Sequence, residues 1–141
     1  MQAILFCLDE DEYGFDILSV LEVVRMVALT PLPDRPEWLS GVVNLRGHVI
    51  PVIDLRRRLH LPPHMPDLNT PIIIAQSADR PFGVVVDRLD TVIELGGDVV
   101  EQLAMPGREQ GALVAGLAHL GHRVVKLLNV DALAAAIPVI G

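Results

Sequence analysis

Gly41-Val42-Val43-Asn44-Leu45-Arg46-Gly47-His48-Val49-Ile50-Pro51-Val52-Ile53-Asp54-Leu55 brings two apolar, strand-like runs together at an Arg-Gly corner. The arrangement predicts a hairpin. Gly47 can take the positive backbone angle that a tight turn demands, while its β-branched neighbours favour extended backbone and pack on a pleated surface. Asn44 and Gly47 are accordingly read as turn-shaping. Arg46 is then a cation fixed at a rigid corner between apolar strands, a placement better suited to recognising a partner than to reacting with a substrate.

Working outward, the chain reads as strands separated by turns, with short helices. Upstream, Ala3 to Leu8 predicts a strand, Asp9 to Glu12 a turn, and the alternation of Tyr13, Phe15 and Ile17 with Gly14 and Asp16 a second strand. Ile17, Val20, Leu21 and Val24 follow the spacing of one apolar helix face, which predicts a helix and leaves Glu22 free for a partner or an ion pair. Pro31, Pro33 and Pro36 make the next segment a loop, because proline lacks the amide hydrogen of a helix interior or a central strand.

Downstream of the hairpin, Asp54 is the expected N-cap of a helix over Leu55 to Leu59, which Pro62-Pro63 terminate. The triplet Arg56-Arg57-Arg58 reads as the solvated face of that helix. Leu61 to Pro71 is proline-rich and without Gly or Ser, which predicts a crossing loop rather than a flexible linker. Strands are expected near Pro71 to Gln76, Phe82 to Asp87 and Asp90 to Leu95, followed by a helix or turn around Asp98 to Leu103 and a loop over Met105 to Gln110. Gly111 to Leu120 and His122 to Leu128 predict another hairpin about Gly121, and Asn129 or Asp131 a cap for a last helix through Ile137. Turn, strand, cap and helix thus occur twice, at Gly47-His48 and at Gly121-His122.

A chain of 141 residues with 51% hydrophobic content can bury one or two modest cores and is most simply one structural unit spanning 1–141. Its apolar residues are mostly Val, Leu, Ile and Ala, which suits small barrels filled by branched side chains. A formal net charge of −7 with no extended basic stripe argues against nucleic acid as a partner. No signal-peptide pattern and no apolar run of about 20 residues is present, so neither export nor direct membrane insertion is expected. Cys7 is the single cysteine, which excludes an internal disulfide and fits the reducing cytoplasm.

Catalytic and metal constellations do not form in the sequence. His48, His60, His64, His119 and His122 lack any HExxH or cysteine company, so no metal and no cofactor is assigned. The hydroxyl residues Ser19, Thr30, Ser40, Thr70, Ser77 and Thr91 lie outside any G-x-S-x-G context, so no catalytic residue is assigned and the chain is not expected to be an enzyme.

The opening stretch, in the form G-V-x-N-L-R-G-x-x-x-P-V-x-D-L, resembles the signature of CheW-like domains, the adaptor modules of bacterial chemosensory arrays. Glu12-Tyr13-Gly14-Phe15-Asp16-Ile17, Val20-Leu21-Glu22-Val23-Val24-Arg25, Gly83-Val84-Val85-Val86-Asp87 and Gly116-Leu117-Ala118-His119-Leu120-Gly121 fall in the family's order. The resemblance implies a mainly β fold of two packed five-stranded SH3-like barrels with short helices. The first barrel would span about 14–68 and the second 69–130, with the N-terminal strand crossing over and a C-terminal helix at 129–137.

It also implies a non-catalytic adaptor that joins a chemoreceptor's cytoplasmic tip to the regulatory domain of a CheA-type histidine kinase, with other CheW-like domains as further partners. Such an adaptor is cytoplasmic and recruited to membrane-associated receptor arrays. Glu22 and Arg46 match the family's acidic and arginine positions beside the receptor groove, where they can pair, and Leu45 and Val43 are the neighbouring receptor-groove candidates. The residues alone leave two other readings open: a relative that keeps the fold as a structural or oligomer-forming part without receptor coupling, and a small-ligand-binding barrel using its histidines.

Overall fold

The chain order is β1 (Gln2–Leu8), β2 (Asp11–Asp16), β3 (Val20–Arg25), β4 (Leu39–Leu45), β5 (His48–Asp54), α1 (Leu55–Arg58), β6 (Pro71–Ser77), β7 (Arg80–Val85), β8 (Arg88–Glu94), β9 (Val100–Gln102), β10 (Val114–Leu120), β11 (Arg123–Leu128) and α2 (Val130–Ala135). These elements come from a computed structural model, which describes residues 1–102 and 112–139. The architecture is mainly β, as the sequence implied, with strands in the order β3-β6-β7-β5-β4 in one sheet and β8-β1-β2-β11-β10-β9 in the other. The second sheet therefore has six strands rather than five. Its extra member, β9, is three residues long and pairs through Val100 and Glu101 with Ala118 and Leu117. It stands where a helix or turn was expected, and the predicted loop over 105–110 lies outside the described residues.

Period-two alternation explains how three hydrophobic clusters arise from these strands. In β6, Ile72 and Ile74 face a cluster with Val43, Ile50 and Val52 inside the five-stranded sheet. Ile73 and Ala75, pointing the opposite way, join Phe6, Phe15, Ile53, Phe82 and Leu133 in a second cluster between the two sheets. Ala3, Leu5, Ala118, Val125 and Leu127 form the third, inside the six-stranded sheet. Strands covered on both faces read as unbroken apolar runs, which is why Ile72-Ile73-Ile74 carries no polar residue.

The two sheets are built by exchange. The hairpin β1–β2 belongs to the first half of the chain, yet β1 pairs with β8 and β2 runs parallel to β11 in the six-stranded sheet. Reciprocally, β6 pairs with β3 and β7 runs parallel to β5 in the five-stranded sheet. This corrects the expected barrel boundaries of 14–68 and 69–130, because β2 leaves the first barrel and residues 71–85 enter it. The halves match in detail: register shifts fall at Val20/Glu22 and Ile4/Phe6, and again at Leu39/Gly41 and Val114/Gly116. Asp54 N donates to Trp38 O and Asn129 N to Leu113 O, while the Asp54 and Asn129 side chains cap α1 and α2.

The expected helix over residues 17–24 is a short 3-10 turn, Ile17–Ser19, followed by β3. Val20, Val23 and Val24 are β-branched and lose side-chain freedom in a helix, and the open edge of β6 supplies a ladder for them. The burial of β3 alternates accordingly, with Leu21 and Val23 exposed and Val20, Glu22 and Val24 half-buried.

Candidate functional site: a charged corner beside an apolar groove

Leu45 pairs with His48, so Arg46 and Gly47 are the two central residues of the β4–β5 turn. Both have positive φ, 53° at Arg46 and 81° at Gly47. That combination is the type I′ geometry that matches the twist of a hairpin. Glycine takes it freely, whereas an arginine there bears strain of about 1 kcal/mol or more. Asn44, expected to shape the turn, instead lies within β4 opposite Val49 with its side chain exposed.

Arg46 Nη1 donates to Glu22 Oε2. The arginine side chain is 74% exposed and the glutamate 24%, so the guanidinium remains open to a partner while the carboxylate is partly shielded. Because β3 and β4 are the two edges of the five-stranded sheet, this ion pair also joins one edge to the other. Sequence reasoning placed Glu22 on a helix; tertiary pairing moves it to β3 and brings it to Arg46 nonetheless. The other two candidates differ. Leu45 is half-buried against the inner cluster, and Val43 is buried within it, so Val43 supports the corner from beneath and has no surface to offer a partner. β4 is covered on both faces along Val42 and Val43, a consequence of sheet packing that single-strand alternation does not reveal.

A groove runs between the edge strands β3 and β8, lined by Val23, Val24 and Arg25 on one side and Asp87, Arg88 and Leu89 on the other, with Asp67 to Pro71 at its end. Exposed Val23 on β3 and Leu89 on β8 give it apolar surface, and exposed Leu21 and Val92 stand elsewhere on the same two strands. Such patches flanked by charge mark sites where other proteins dock.

Joined to the groove through Asp87 is a charge cluster that the sequence reading missed. Arg56, expected on a solvated helix face, is 4% exposed and is the one buried charged side chain among the described residues. Its guanidinium donates to Asp9 (2.9 and 3.1 Å), to Asp87 (2.8 Å) and to the Pro62 carbonyl (2.7 Å). The hydrogen bond from Arg56 holds the Asp9 carboxyl below the usual carboxylate range, and the same bond raises Arg56. Arg123 does likewise for Glu12, with Asp90 as a second, longer partner at 3.4 Å. His64 stands 3.8 Å from Asp9 and 4.0 Å from Asp87, and the oxygens it faces are already engaged by Arg56.

Both depressed carboxylates stabilise the fold above the unfolded-chain value near pH 4, and that contribution is lost as pH falls through their lower folded values. Denaturant melts at pH 5 and pH 3 are expected to show the loss, and Glu12→Gln, which cannot titrate, should show a shallower one. Equal losses in both proteins would remove Glu12 from the account.

The corner signature and the two-sheet fold find their counterpart in known proteins. A CheW-like domain model matches residues 2–137. The chain belongs to the CheW-like domain family. It is 33% identical over 135 residues to the chemotaxis protein CheW of Klebsiella aerogenes, covering 92% of this chain and 79% of that one. The chemotaxis protein CheW of Helicobacter pylori is 29% identical over 131 residues, covering 93% and 79%. Among solved structures, the scaffolding protein TtCheW of Thermoanaerobacter tengcongensis superposes with a TM-score of 0.82 at 32% identity, covering 92% of this chain and 88% of that one. CheW proteins are chemotaxis coupling scaffolds and are themselves non-catalytic. No helix among the described residues is long and apolar enough to cross a membrane.

Proposed function

We propose that this CheW-like domain joins the cytoplasmic tip of a chemoreceptor to the regulatory domain of a CheA-type histidine kinase, performing no chemistry of its own, within membrane-associated receptor arrays. The observation that carries this reading is the Glu22–Arg46 corner, where an arginine with positive φ stays largely exposed and its partner Glu22 immediately precedes Val23, a wall of the groove between β3 and β8. In this reading the receptor's helical tip lies in the groove, with Arg46 and Glu22 fixing its orientation and Leu45 supporting the corner. The kinase domain, itself CheW-like in the resemblance, would meet the ends of the strands in a barrel-to-barrel contact.

The test is a binding measurement with the purified chain against a receptor-tip fragment and a kinase regulatory domain encoded beside its gene. Saturable binding to both supports a coupling role. A correctly folded chain that binds the kinase domain but no receptor tip would instead be a structural member of the array, and one that binds neither would overturn the proposal.

A further inference from the structure

Arg56 presents a question that stability alone does not answer. Taking a guanidinium and its carboxylates out of water opposes most of what their attraction gains, so well-packed apolar replacements of buried ion pairs are often neutral or stabilising. What the pair arrangement does secure is position. Each acceptor of Arg56 belongs to a different stretch of chain: Asp9 sits in the turn between β1 and β2, Asp87 in the link from β7 to β8, and Pro62 at the start of the crossing loop.

Two of those stretches lead directly into the groove. Asp87 is followed by Arg88 and Leu89, the opening residues of β8 and one wall of the groove. The crossing loop that starts near Pro62 ends at Asp67 to Thr70, which close the groove's end. That far end is itself fixed: Asn69 N donates to Asp67 Oδ1 at 2.7 Å, and Met26 N donates to Thr70 O at 2.8 Å, tying the loop to the end of β3. Asp9 N donates to Asp87 Oδ2 at 2.7 Å and Arg88 Nη1 to Asp9 O at 3.3 Å, so the β1–β2 turn braces the start of β8 from behind. The fork of the guanidinium suits this geometry, since its donors leave in fixed directions in one plane.

We propose that Arg56 is a positioning residue for the groove, setting the separation of its β3 and β8 walls by holding the β7–β8 link and the crossing loop on one guanidinium. The proposal rests on the reading of the groove as the receptor site. Arg56 touches no partner and acts through Asp87 and the loop. A lysine in its place keeps the charge but presents no planar fork, and so cannot hold the link and the loop together.

The experiment uses the full chain as wild type, Arg56→Lys and Arg56→Met, with Asp87→Asn as a milder variant should Arg56→Met not fold. Binding of the receptor-tip fragment and of the kinase regulatory domain is measured at a temperature where circular dichroism shows each protein fully folded, and amide resonances of Arg88, Leu89, Asn69 and Thr70 are compared with those of His122 and Val124. The expected result is a loss of about tenfold or more in receptor-tip affinity for Arg56→Lys, a kinase affinity within about twofold of wild type, and displaced groove amides with unmoved remote ones. Unchanged tip affinity in the folded variants would overturn the proposal. So would a parallel fall in both affinities, which is the mark of a general structural role. If the wild type itself binds no receptor tip, the coupling function fails, and the amide comparison then decides this proposal by itself: displaced groove amides sustain the positioning role and unmoved ones refute it.

Discussion

Gly41→Ala is expected to destabilise the fold by about 3–5 kcal/mol, a large share of the roughly 5–15 kcal/mol that holds an ordinary domain together. A Cβ at Gly41 would lie 2.5 Å from the Thr30 carbonyl oxygen and 3.0 Å from its carbon, and Gly41 has a φ of +149°. The obstacle is backbone, not the end of a flexible side chain. It is also held in place, because Thr30 and Val42 exchange two hydrogen bonds of 2.9 Å that cover the outer edge of β4. The alanine variant must either strain the strand or give up that bridge. Gly47→Ala is the control: nothing lies within 4 Å of the added atom, and at a φ of +81° it should lose only about 1–2 kcal/mol. Gly116, whose Cβ would come within 2.8 Å of the Glu101 carbonyl oxygen, is the counterpart in the other half; without a positive φ it should lose less than Gly41. Chemical denaturation of the three variants checks the ordering, and a Gly41→Ala loss no greater than that of Gly47→Ala would show that the Thr30 segment yields easily.

Arg46→Ala should lower receptor-tip affinity by about 2 kcal/mol, or roughly thirtyfold, while changing folding stability by no more than about 1 kcal/mol. The separation follows from exposure. An ion pair with one member 74% exposed contributes little to folding, whereas an arginine seated in an interface is desolvated there and is a frequent anchor. A double-mutant cycle over Glu22 and Arg46, with unfolding and receptor-tip binding measured on the same four proteins, isolates the pairwise energy in each process. Coupling seen only in unfolding, with tip binding unchanged throughout, would make the pair a brace between β3 and β4 and remove Arg46 from the recognition site.

The sequence by itself determined the β4–β5 hairpin, the cap at Asp54 and the presence of a last helix, capped by Asn129, the first of its two candidates, because turn chemistry and capping act between residues a few positions apart; the helix ends at Ala135, short of the expected Ile137. It also carried Arg46, since the signature around the corner is contiguous, and Glu22 through the separate run Val20 to Arg25. Tertiary structure decided the rest, for reasons of pairing and burial. The apolar spacing of Ile17, Val20, Leu21 and Val24 suits a helix, but β6 offers β3 a ladder, and the strand forms. Arg56 stands in a triplet whose other members remain half-exposed, and only the approach of Asp9 and Asp87 from remote parts of the chain makes its burial tolerable. Val43, a groove candidate by resemblance, is buried because β4 is covered on both faces. The exchange of the β1–β2 and β6–β7 hairpins left no local trace at all: a strand's own residues fix its period and which face is apolar, but which edge it joins depends on where every other strand has already placed its unpaired backbone.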